Sequence, residues 1–138
     1  MKFLITGALN RPGGPRGVLT LGLLLFVIYE LCNVVLNAAE SEPPGTLALA
    51  VEDTHVLLFF RGLEALFLVS VTIGLPLPVL MRRGISIALF AIPLVSFSLL
   101  LVSVWQPAFF VVARSASILA SIAVILSAAV VVRSMYAR

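Results

Sequence analysis

Apolar residues run along this 138-residue chain in four long stretches, separated by short breaks rich in charge, proline or glycine. The first covers about residues 17–39 (GVLTLGLLLFVIYELCNVVLNAA), the second 54–81, the third 85–105 and the fourth 107–132. Each reaches or exceeds the ~20 residues a helix needs to cross a hydrocarbon core. Open strands are excluded there, because lipid cannot satisfy the polar groups of a sheet edge. The pattern therefore predicts an all-α fold: one integral membrane domain over 1–138, built as a four-helix bundle.

The breaks sharpen the boundaries. Residues 1–16 end in a Pro/Gly-rich run (RPGGPR) and are expected to form an interfacial segment and linker. Their lysine and short apolar run are features of signal peptides, but no small-residue cleavage site follows. SEPPGT, in an acidic outer loop over 40–53, breaks helices, and Pro107 suits the first turn of helix four. Pro76 and Pro78 are expected to break or kink helix two near its end, and Pro93 to bend helix three mid-membrane. All three are candidate hinges.

Composition fixes the solvent. The chain is 62% hydrophobic and 11% charged, where a soluble domain has roughly 45–50% and about 25%. One core of this size cannot hide that much apolar surface, so lipid must cover much of it. The net charge of +3 does not point to nucleic acid, because the basic residues stand singly or as the pair Arg82-Arg83 between apolar runs. Their placement points instead to topology. Lys2, Arg11, Arg16, Arg82, Arg83, Arg133 and Arg138 all fall on one side of a four-span arrangement. Glu40, Glu42, Glu52 and Asp53 fall on the other, with no Lys or Arg beside them. By the positive-inside rule both termini face the cytoplasm, the 40–53 loop lies outside, and the plasma membrane is the expected location.

Four ionisable residues remain inside the spans: Glu30, Arg61, Glu64 and Arg114. At ~1.5 Å per residue from the outer ends, Glu30 is roughly 13 Å deep, Arg61 and Arg114 roughly 10 Å, and Glu64 roughly 15 Å. Glu30, Asn33 and Asn37 follow an i, i+3, i+7 stripe, and Arg61 and Glu64 share a face of helix two. On helix four Ala113, Ser117 and Ser121 form a small-residue stripe that lets helices approach closely, with Arg114 at its edge. Intramembrane charges face the bundle interior and pair. The expected arrangement is a neutral polar network in which Glu30 meets one arginine and Glu64 the other, with Asn33 nearby. Helix three, bearing only serines among its membrane polar residues, is expected to face lipid or a partner.

Several chemistries find no support. One histidine, His55, and one cysteine, Cys32, exclude an internal disulfide and argue against a protein-only zinc site. Haem ligation would have to pair His55 with Met81, at opposite ends of helix two. No GxSxG, HExxH, P-loop or GxGxxG occurs. The expectation is therefore no enzyme, no metal and no cofactor.

Glu30, in the first of four short helices, resembles the first-helix carboxylate of the small multidrug-resistance transporters, which binds proton and drug alternately. That resemblance rests on Glu30 and the helix count. The two membrane arginines, the long acidic loop and the strong charge bias depart from that family's pattern, so no residue role is carried over.

Two functional expectations follow. The first is a non-catalytic subunit or assembly component of a larger membrane complex, whose partners are the bilayer and other membrane subunits. The second is a small homo-oligomeric transporter or channel for ions or protons, built around the intramembrane charges.

Overall fold

The computed structural model describes residues 16–40 and 42–137. Residues 1–15 of the expected interfacial segment lie outside the described residues. Four α-helices follow one another: α1 (Arg16–Ala39), α2 (Leu47–Ile73), α3 (Val79–Ser103) and α4 (Ala108–Tyr136). Each is long and apolar enough to cross a membrane. They form the helix bundle of a small multi-pass membrane protein.

The helix boundaries differ from the sequence expectation most at the two ends of α2, for identifiable reasons. Helix α2 begins at Leu47, seven residues before the expected 54 (54 − 47 = 7). Thr46, in extended conformation, caps it by accepting a hydrogen bond from the Leu49 N–H at 3.3 Å. Such a cap satisfies one of the four amide donors that a helix start leaves open. The loop over 40–53 therefore shortens to residues 40–46, and Glu52 and Asp53 lie on the helix.

At its other end α2 stops at Ile73, not at 81, and Gly74 closes it through a 3.1 Å bond from its N–H to the Val71 carbonyl. Of the two outcomes expected of Pro76 and Pro78, the helix breaks ahead of them and is not kinked. They stand in the connection to α3, where Leu75 and Leu77 are buried while both prolines are exposed. The connection is a tight turn, with the Leu77 N–H donating to the Leu75 carbonyl at 2.8 Å, and the two buried leucines anchor it in the core. The next helix starts immediately, placing Arg82 and Arg83 in the first turns of α3 and not in a loop. Pro93 is the one of the three that sits within a helix, buried inside the continuous α3.

The helices alternate in direction. Thr20 and Tyr136 hydroxyls meet at 3.2 Å at one end of α1 and α4, and Arg114 reaches the Asn37 carbonyl at the other. Helix α3 packs most closely on α4, α1 on α4, and α2 on α3. Helix three, expected to face lipid or a partner, does expose Leu80, Ile87, Leu94 and Val95, but its other face packs closely on α4. Ser96 contributes to that contact: its Oγ donates to the Ala113 carbonyl at 3.0 Å. Helix α1 is the least covered of the four spans. Its exposed apolar face carries Leu24, Ile28, Leu31 and Val35, and Cys32 is exposed on the same helix.

Helices α1 and α2 approach through long side chains instead of close backbones. Phe26 and Phe67 rings meet edge-on at 5.4 Å, and Tyr29 lies 6.4 Å from Phe60. Toward the end where α1 starts, called here the basic end, the interior is mainly apolar: Leu23, Leu68, Val71, Leu75, Leu89, Val124, Val131 and Met135 pack in one cluster, with the hydroxyls of Thr72 and Ser127 buried in the same half. The opposite, acidic end carries Glu40, Glu52 and Asp53. Between the two lie the charged residues.

Candidate functional site

Arg61 is the centre of the buried polar region. Its guanidinium forms an ion pair with Glu30 of α1, lies 3.5 Å from the Glu64 carboxylate one turn along α2, and donates through Nη2 to Ser121 Oγ of α4 at 2.8 Å. One side chain thereby ties three helices together. Glu30, Glu64 and Arg61 are 0, 4 and 5% exposed. A guanidinium suits this position because its planar fork offers five donors, enough to serve two carboxylates and a hydroxyl together. The Phe26–Phe67 and Tyr29–Phe60 contacts flank the same α1–α2 seam.

The expected one-to-one pairing is not what forms. Both carboxylates share Arg61, and Arg114 stands apart: its Nη2 donates to the Asn37 backbone carbonyl, and its guanidinium carbon lies 5.4 Å from the centre of the Phe110 ring. Depth explains the difference. With α2 starting at Leu47, Arg61 is 14 residues along it (61 − 47 = 14), roughly 21 Å, where a start at 54 gave roughly 10 Å. It therefore lies level with Ser121, 13 residues into α4, and about two turns from Arg114. Two carboxylates therefore share one guanidinium in this group, and Arg114 is not part of it.

The remaining polar residues sort by position. Asn33 is buried one turn from Glu30, and its amide nitrogen has no hydrogen-bond partner among the described residues. Asn37 folds its amide back onto the Asn33 carbonyl at 2.8 Å. The small-residue stripe of α4 divides by task. Ala113 provides the carbonyl for Ser96, Ser121 accepts from Arg61, and Ser117 lines a cavity. Ser121 was expected only as a packing residue. Its position seven residues after Arg114 and on the inner stripe was the available signal for a polar partner.

That cavity opens at the acidic end and has a volume of about 430 Å³. Its walls combine Phe97, Leu100 and Phe110 with Arg114 and Ser117, and Glu40, Glu52 and Asp53 also line it. It stops at Ser117, one helical turn short of Ser121, and does not touch Glu30, Arg61 or Glu64. Beyond the Arg61 group the apolar cluster fills the basic half of the bundle. Among the described residues no group of three or more His, Cys, Asp or Glu is arranged to hold a metal ion. No protein-family model, curated protein or solved structure matches the chain.

Proposed function

We propose that this protein is a non-catalytic subunit or assembly component of a larger membrane complex, and that its intramembrane charges act as interhelical ties. The observation that carries this reading is the enclosure of the Arg61 group. Glu30 and Glu64 both face the same guanidinium, Arg61 also holds Ser121, all three charged residues are buried, and the acidic-end cavity stops short of them. A relay carboxylate has to exchange protons with water, and an enclosed carboxylate held by arginine is poorly placed for that exchange. A tie among three helices needs no access at all. The 24-residue α1, covered mainly on its α4 side, presents a long apolar face for lipid or a neighbouring helix. The charge distribution supports an orientation with both termini in the cytoplasm and the acidic loop outside.

A second reading, an ion- or proton-coupled transporter formed by several copies, has one observation in its favour. The acidic-end cavity leads through Ser117 to within a turn of Ser121, which contacts Arg61. Glu30→Gln separates the two. As a tie, the variant accumulates to a lower level and loses its place in the assembly, and wild-type protein in liposomes carries no proton or cation flux. Normal abundance and assembly of Glu30→Gln, together with a wild-type flux that the substitution abolishes, overturns the subunit reading.

A further inference from the structure

The Arg61 group accounts for the charges deep in the bundle but not for Arg82 and Arg83. Both line an open cleft at the basic end, together with Thr72 and Ile73 at the close of α2 and Val79, Ser86 and Ile87 at the start of α3. The cleft has a volume of about 400 Å³. Neither arginine has an ion-pair partner among the described residues, and the Nε of Arg82 is enclosed without any hydrogen-bond partner. The cleft's hydroxyls are already committed as donors, Thr72 to the Val69 carbonyl at 2.8 Å and Ser86 to the Arg82 carbonyl at 2.9 Å. What remains unsatisfied in the cleft is positive.

The position makes this arrangement more demanding. A helix start carries partial positive charge and favours anions, yet α3 begins with no acidic residue in its first turn and no side-chain cap. Two cations there repel the helix dipole and each other unless an anion lies between them. The adjoining surface is apolar, with Ile73, Val79 and Ile87 in the cleft and Leu80 83% exposed. A site with arginines beside an apolar wall, at the end of a membrane-spanning bundle, matches a molecule whose anionic head continues into hydrocarbon. We propose that the Arg82–Arg83 cleft binds the phosphate headgroup of an anionic phospholipid from the leaflet at the basic end. The guanidiniums take the phosphate oxygens, and the acyl chains lie along the isoleucine and valine surface.

The test is retention of lipid by the full-length protein. Protein purified in mild detergent with equal amounts of phosphatidylcholine and phosphatidylglycerol is released intact into a mass spectrometer, and bound lipid is counted against lipid concentration. Wild type retains phosphatidylglycerol in preference to phosphatidylcholine. At about 1 kcal/mol for each arginine, the Arg82→Gln/Arg83→Gln variant weakens that preference roughly thirty-fold. Arg82→Lys/Arg83→Lys keeps most of it. Arg133→Gln, which removes the same kind of charge from the same end of the bundle, changes it by less than about threefold, inside the contribution of a single arginine. A thermal melt with an unchanged midpoint verifies that each variant is folded. The proposal is overturned if the double glutamine variant holds the anionic lipid as wild type does. It is equally overturned if Arg133→Gln loses as much as the double variant, which would mean general attraction to a basic surface, or if millimolar inorganic phosphate displaces the lipid, which would mean a free-anion site.

Discussion

Removing Arg61 is the most informative perturbation of this molecule, because its consequence depends on charge and not on volume. Arg61→Met keeps a long flexible side chain at the position but leaves Glu30 and Glu64 facing each other without a cation, and Ser121 without its donor. Breaking a buried ion pair by deleting one partner costs ~3–5 kcal/mol. Three partners converge on this side chain, so the upper part of that range applies. Glu30→Gln is milder, about 1–3 kcal/mol, since Arg61 retains Glu64 and Ser121. Combining Glu30→Gln, Arg61→Met and Glu64→Gln removes every full charge while conserving volume, and is expected to return to within about 1–2 kcal/mol of wild type, because neutral replacement of a buried ionic group is often close to neutral in stability. The assay is reversible unfolding of the purified protein from mild detergent into sodium dodecyl sulfate, followed by far-ultraviolet circular dichroism. A triple variant as unstable as Arg61→Met would refute the reasoning, since the loss would then come from shape. So would an Arg61→Met protein within 1 kcal/mol of wild type, which would mean the carboxylates find water or lipid headgroups instead.

Further expectations bear on other parts of the fold. Leu75→Ala empties a buried position in the α2–α3 connection and should cost ~2–4 kcal/mol, whereas Pro76→Ala on its exposed side should change stability by less than about 0.5 kcal/mol; equal effects would return Pro76 to the role of a structural kink. Cys32 is exposed on a helix long and apolar enough to span the bilayer, so in intact membranes it should react with a lipid-soluble maleimide and resist a charged, water-soluble one; rapid reaction with the charged reagent would mean that α1 borders water. In a Cys32→Ser background, Gly45→Cys should be labelled by an impermeant reagent added to whole cells, where Gly84→Cys should be labelled only after lysis. The reverse pattern would invert the proposed orientation. Neither glycine has a neighbour within 4 Å of an added Cβ, so both substitutions fit.

Much of the architecture was legible from hydropathy alone, since four runs of this length in a chain so poor in charge leave few alternatives to spanning helices. The errors came where hydropathy and helix limits part company. Residues 47–53 carry Glu52 and Asp53 and look like loop, yet Thr46 after PPG is a helix-start signal, and α2 begins there. Residues 74–78 are apolar and look like helix, yet two prolines two residues apart cannot both sit in an unbroken one. The first error propagated: starting α2 seven residues late placed Arg61 level with Arg114 and suggested two separate ion pairs. The corrected start puts Arg61 beside Ser121, and the shared-arginine group follows. The cavity at the acidic end was not legible at all, because it depends on the packing of α3 against α4 through Ser96 and the end of α1, which no single stretch of sequence encodes.

The most direct test of the central claim is the mass of the intact assembly released from native membranes in mild detergent. The account predicts this chain in fixed ratio with other, different polypeptides. Recovery of the chain alone, or only as copies of itself, would contradict it and bring the transport reading forward.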